Sequence, residues 1–118
     1  MPVTGIGGLF FRAKDPDTLK RWYHDHLGVG DGQWGLWDQQ AGQTVFSPFP
    51  ADSDYFPANK QIMLNLRVDG LDDLLVKLRN AGVEVITRPE WDDPGTGRFA
   101  RIHDPEGNPI ELWEPPAS

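Results

Sequence analysis

Apolar and polar residues alternate from Arg98 to His103. Phe99, Arg101 and His103 share one side, Ala100 and Ile102 the other. A period of two suits a strand with two different faces. Asp104-Pro105-Glu106-Gly107-Asn108 then supplies a turn: proline presets φ, glycine accepts positive φ, and Asp and Asn bond nearby backbone. Ile110-Glu111-Leu112-Trp113 resumes a strand, and Pro115-Pro116 stops it, because proline cannot donate to a ladder. Glu111 is thereby a carboxylate inside an otherwise apolar strand.

Reading from the start of the chain, Gly5 to Ala13 predicts a strand on which Arg12 shares a face with Phe10 and Gly8. A helix follows. Asp15 suits its N-cap, Pro16 its first position and Asp17 its positive end, and Gly28 its C-terminal cap. Leu19, Trp22, Tyr23 and His26 or Leu27 recur at helical spacing. Short strands are predicted around Trp34 to Trp37 and at Thr44-Val45-Phe46. Residues 47–60 hold three prolines and no helical period, the mark of a long functional loop or linker. Phe49, Tyr55 and Phe56 in that loop are more apolar surface than a free linker should expose. Gln61 to Val68 predicts a strand and Val83 to Thr87 another. Between them a helix opens at Asp69 to Asp73, with Leu71, Leu74, Leu75 and Leu78 on one face and Gly82 closing it. Arg88 to Gly97 reads as a loop.

The two halves echo each other. Phe11-Arg12-Ala13 recurs as Leu66-Arg67-Val68, Asp17 and Leu19 as Asp72 and Leu74, and Val45-Phe46-Ser47-Pro48 as Leu112-Trp113-Glu114-Pro115. Each half is strand, helix, then short strands. A repeated unit too small to bury its own face packs against its copy or another chain.

Composition narrows the function. At 118 residues the length is that of one domain, 1–118. No run has the length of a membrane-spanning helix, and MPVTGIGG lacks the basic and apolar stretches of a signal peptide, so the expectation is a cytoplasmic protein with no membrane partner. With no cysteine, disulfides, thiolate metal sites and a Cys nucleophile are excluded. A net charge of −7 argues against a nucleic-acid partner, which needs clustered Lys and Arg. Five Trp, six Phe and two Tyr are many for this length, and fit either core packing or an aromatic-lined pocket.

A strand-helix-strands unit used twice, with the helix entry FRAKDPDTLKRWYHDHLGV and the closing DPEGNPIEL, resembles the vicinal oxygen chelate superfamily over nearly the whole chain. That superfamily includes glyoxalase I, extradiol dioxygenases, fosfomycin-resistance enzymes and bleomycin-resistance proteins. The resemblance implies an α+β fold of two βαβββ modules, at about residues 1–50 and 60–116, forming a curved mixed sheet around a cup-shaped site. It also implies a homodimer, often with exchanged modules. The family's metal ligands carry over onto Gly8, Thr44, Met63 and Glu111, with Ser47 in place of Thr44 under a different register. Of the four, only Glu111 is a ligand type. One carboxylate does not hold a catalytic metal in such a cup, so no metal and no cofactor is expected.

Other positions carry over better. The arginine with which glyoxalase I holds a substrate carboxylate corresponds to Arg12, and in the repeat to Arg67. By strand parity Phe10 and Asn65 share the side of these arginines and Trp113 shares that of Glu111, while the resemblance implies that Phe99 and Arg101, on the strand before the turn, point inward. Trp37 and Trp91 border the implied cup. The candidate ligand-binding set is therefore Phe10, Arg12, Trp37, Asn65, Arg67, Trp91, Phe99, Arg101, Glu111 and Trp113. Each has a plainer alternative. Glu111 suits a structural ion pair with an arginine, a contact to ligand, or acid/base catalysis. The arginines suit exposed strand ends, and the tryptophans rim packing or dimer contact. His24, His26 and His103 are not spaced as a metal cluster, and Asp72-Asp73 and Asp92-Asp93 read as solvated faces.

Two functions follow. One is a metal-free protein that sequesters a small molecule in an aromatic- and arginine-lined cup, as bleomycin-resistance members do. The other is a glyoxalase-type lyase or isomerase using Glu111 as its catalytic acid/base, with arginines in place of metal.

Overall fold

The computed structural model describes residues 2–117. Its regular elements are helix α1 (Pro16–Leu27), strand β1 (Leu64–Arg67), helix α2 (Leu71–Asn80), strand β2 (Arg98–His103) and strand β3 (Pro109–Glu114), with a single 3-10 turn at Pro89–Trp91. The sheet runs β1-β3-β2, with β1 parallel and β2 antiparallel to the central β3. Ile86 adds a bridge outside β2, exchanging both backbone hydrogen bonds with Arg101 at 2.9 and 2.8 Å. The second half of the chain thus runs strand, helix, bridge, strand, strand. Among the described residues no helix is long and apolar enough to cross a membrane.

Alternation along the strands splits the sheet into two faces. Leu66, Ala100, Ile102, Ile110 and Leu112 are buried on one face. Leu71, Leu75 and Leu78 of α2 and Leu19 and Tyr23 of α1 complete that core. Both helices therefore serve the one sheet. Each fully buried Leu or Ile contributes roughly 1.5–3 kcal/mol over its exposed state.

The hairpin β2–β3 also anchors the helix starts. Asp15 caps α1 locally, accepting from the Thr18 amide at 3.2 Å and its hydroxyl at 2.7 Å. Gly28 ends the helix in the left-handed region at φ 66°, as its place in the sequence predicts. Ahead of that cap, the Glu106 carboxylate accepts from the Lys14 and Asp15 amides at 2.6 and 3.0 Å. Gly70, at the start of α2, has no side chain to cap with. Glu114 of β3 substitutes, its Oε2 accepting from the Gly70 and Leu71 amides at 3.0 and 2.8 Å. The turn itself is built on Asp104, buried, which accepts from the amides of Glu106 and Asn108, the Asn108 side chain, and the Tyr23 hydroxyl.

The first half departs from the expected strands. Gly5 to Ala13, Trp34 to Trp37 and Thr44 to Phe46 form no paired strand, and Val83 to Thr87 is reduced to the Ile86 bridge. A strand needs a neighbour for its backbone groups, and within one chain these segments have none. Their side chains stand in solvent: Phe10 is 95% exposed and Phe46 88%.

Candidate functional site

The face opposite the helices carries the chemistry. Register places Asn65 of β1 and Arg101 of β2 on either side of Glu111 of β3. One step along, Arg67 and Phe99 flank Trp113 in the same way. Adjacent strands in register bring cross-strand side chains within contact distance, so six of the sequence-predicted residues share one surface.

Glu111 is buried at 8% exposure, and both its oxygens are engaged. Oε1 accepts from Asn65 Nδ2 at 2.8 Å, and Oε2 accepts from the Tyr55 hydroxyl. Tyr55 comes from the 47–60 loop, which returns over this face. Its carbonyl accepts from Arg101 Nη2 at 3.0 Å, and its ring lies 5.0 Å below the Arg101 guanidinium. Burial, then the Glu111 carboxylate beside it, push the Tyr55 phenol from 10.0 up to about 12, so it stays a hydrogen-bond donor across the physiological range.

Aromatic rings extend from Tyr55 in both directions. Phe49 lies 5.7 Å from it and 5.5 Å from Phe56, while Trp91 meets it edge-on at 6.2 Å. The guanidiniums of Arg88 and Arg101 stand 5.6 and 5.7 Å from the Trp91 ring. Beside this cluster opens a cleft of about 440 Å³, lined by Tyr55, Phe56, Arg88, Trp91, Arg101 and His103 among others. A second cleft of about 410 Å³ lies between the Asp92–Gly97 loop and Pro115–Ala117, away from Glu111.

The remaining predicted residues divide. Trp113 stacks on Phe99, with centroids 6.3 Å apart and planes 9° apart, and donates to the Thr96 carbonyl at 2.8 Å. Gly97 lets that loop cross β3, since a Cβ there would stand 2.2 Å from the Glu114 carbonyl oxygen. Arg67 is exposed and donates to the Gln40 carbonyl at 2.7 Å, so residues 40–42 lie against it. Phe10, Arg12 and Trp37 are not brought to the Glu111 row. All three are exposed, and among the described residues no hydrogen bond or aromatic contact joins them to it. They belong to the half whose strands lack a partner.

Tyr55 is the residue that reading the sequence passed over. Its signal was present, since Phe49, Tyr55 and Phe56 make the 47–60 loop too apolar for a linker. No local pattern, however, pairs a loop tyrosine with a strand glutamate.

Of the four positions that correspond to the family's metal ligands, Glu111 alone carries an ionisable ligand side chain. Glu111 already accepts two hydrogen bonds, and its neighbours on the face are an amide, a guanidinium and an indole. Met63 is half-buried, Thr44 is exposed and Gly8 has no donor. Among the described residues no three or more His, Asp or Glu side chains come together as ligands.

Comparison with known proteins identifies the family. The sequence profile of the Glyoxalase-like domain matches residues 8–113. The crystal structure of TnmS3, an antibiotic binding protein from Streptomyces sp. CB03234, is similar at 26% identity and a TM-score of 0.59, covering 98% of both chains. A glyoxalase/bleomycin resistance protein from the same Streptomyces strain is 29% identical over 85% of this chain and 91% of its own, with a TM-score of 0.49. Among proteins of curated function, none matches. The chain belongs to the glyoxalase-like domain family, within the vicinal oxygen chelate superfamily.

Proposed function

We propose that this protein binds a small molecule without metal and without chemically changing it, on the Glu111 face beneath the 47–60 loop. The observation that carries this reading is the state of Glu111: buried, with one oxygen held by Asn65 and the other by Tyr55. Each oxygen is tied to a protein donor and Glu111 does not line the adjoining cleft, so it is not placed to reach a substrate proton. The aromatic walls of Tyr55, Phe56 and Trp91 suit a planar ligand. The likeness to an antibiotic binding protein points the same way.

The site is proposed to be one wall of a two-module cup, completed in a homodimer. Val3, Ile6, Phe10, Trp34, Leu36, Val45 and Phe46 of the first half are each more than half exposed. So much apolar surface on segments without strand partners calls for a second copy of the chain as its cover.

The test is quenching of intrinsic Trp fluorescence by a panel of planar polycyclic compounds, with each bound compound recovered and weighed by mass spectrometry. Saturable quenching that is lost in Trp91→Ala, with an unchanged ligand mass and no effect of chelator, is the expected result. A shifted mass would replace sequestration with catalysis, and binding that disappears with chelator would overturn the metal-free reading.

A further inference from the structure

Arg101 is 6% exposed, and its Nε is buried with no hydrogen-bond partner. Leaving such a donor unpaired costs about 1–3 kcal/mol, and more where the group is charged. Its cross-strand neighbour Glu111 does not supply the counter-charge, because that carboxylate is turned to Tyr55 and Asn65. Both ion pairs among the described residues belong to Arg98 instead. Arg88 is likewise without a carboxylate, and its guanidinium shares the Trp91 ring with that of Arg101. Two unpaired cations thus converge on one indole in a chain with 18 Asp and Glu against 11 Lys and Arg. Acidic partners were available in the composition and are not used here. The adjoining cleft contains both arginines and His103, against the single exposed carboxylate of Asp54.

We infer that this cleft takes an aromatic ligand bearing a carboxylate, with Arg101 and Arg88 receiving the anion and Tyr55 and Trp91 flanking the ring. The inference rests on the small-molecule reading above and adds the charge of the ligand. Guanidinium forks match carboxylates geometrically and bind them more strongly than neutral acceptors. Because Nε is covered in this conformation, the ligand reaches it as the Tyr55 segment shifts. The carboxylate then takes over the acceptor role now filled by the Tyr55 carbonyl and also satisfies Nε.

The test is calorimetric titration of the full chain with 2-naphthoate and with 2-naphthamide, its neutral counterpart. Naphthoate should bind on the order of tenfold tighter than the amide, as for a charge-assisted pair against a neutral one. The advantage should shrink in 0.5 M NaCl by roughly the loss expected for a partly exposed ion pair. Arg88→Ala, at an exposed position, should weaken naphthoate several-fold and the amide distinctly less, so that the ratio between them falls. Arg101→Lys should do the same by keeping the charge but losing the fork. Equal binding of acid and amide, or naphthoate binding indifferent to both substitutions, overturns the anion assignment while leaving the small-molecule reading in place. If neither compound binds, the anion assignment also falls. The small-molecule reading falls separately, if the polycyclic panel gives no quenching that depends on Trp91.

Discussion

The Tyr55 hydroxyl donates to the Glu111 carboxylate across 56 residues of chain, and with the Arg101 bond to the Tyr55 carbonyl it closes the polar face of the sheet. It ties a loop with no regular structure to the central strand, and it places an aromatic ring under Arg101.

Tyr55→Phe removes the hydroxyl and keeps the ring. Glu111 then loses one of two donors, and the expected cost is about 1.5–3 kcal/mol in urea unfolding, as for a hydrogen bond to a charged group. Ligand affinity should hold or rise, because the loop is released from Glu111 while its aromatic wall remains. Unchanged stability would mean that the hydroxyl is satisfied elsewhere in solution.

Replacing Glu111 separates structure from chemistry. Glu111→Gln should leave ligand binding within about threefold, since an amide still accepts from one neighbour. Glu111→Ala should cost about 2–3 kcal/mol by stranding Asn65 and Tyr55. A Glu111→Gln variant that bound ligand but no longer converted it would argue for the lyase or isomerase alternative.

Alkaline titration reads both tyrosines of the chain at once. Burial, then the hydrogen bond to Asp104, raise Tyr23 far above its ordinary value, and Tyr55 is raised to about 12. The folded protein holds these protons more tightly than the unfolded chain. It therefore has its full stability below pH 10 and loses stability as the pH climbs through about 12. Phenolate absorbance should show no step near pH 10 until the protein unfolds. A step there in folded protein would place at least one of the rings in solvent.

Asp104→Ala removes four acceptor contacts at once, one of them from α1 through Tyr23. The expected loss is about 3 kcal/mol or more, on the scale of a buried network broken by truncation. Helical circular dichroism should fall earlier in the melt than the sheet signal, since α1 loses one of its attachments to the sheet. A single unchanged transition would show that the turn holds without it.

Dimerisation is checked by light scattering after size exclusion. Phe10→Asp combined with Phe46→Asp should shift a dimer to monomer, because both rings stand in solvent within one chain. A wild-type protein that runs as a monomer at micromolar concentration would remove the second copy from the proposal.

Much of the second half was legible in the chain. Period-two spacing is enough to put Asn65, Arg67, Phe99, Arg101, Glu111 and Trp113 on one face, because side-chain direction in a strand follows parity alone. Asp15, Pro16 and Gly28 mark α1 because caps are local. The first half was not legible in the same way. Gly5 to Ala13 has the residues of a strand, but strand formation depends on a partner that the pattern does not name. Tyr55 was hidden for a related reason: its role arises from the return path of a loop, and the Glu106 and Glu114 anchors likewise join positions far apart in sequence.

The Glu106 anchor bears on how the protein is made. Its carboxylate lies 92 and 91 residues after the Lys14 and Asp15 amides that it receives. On the ribosome, α1 emerges first and then waits for nearly the whole remaining chain before its docking surface exists. Contacts so distant in sequence slow folding and lengthen the time that apolar surface is exposed. During that interval Leu19, Tyr23 and the unpaired Phe10 segment are uncovered together. Yield in the cell should therefore depend on how long the nascent chain takes to finish, and slower translation or a lack of chaperone should favour aggregation even where the completed fold is stable.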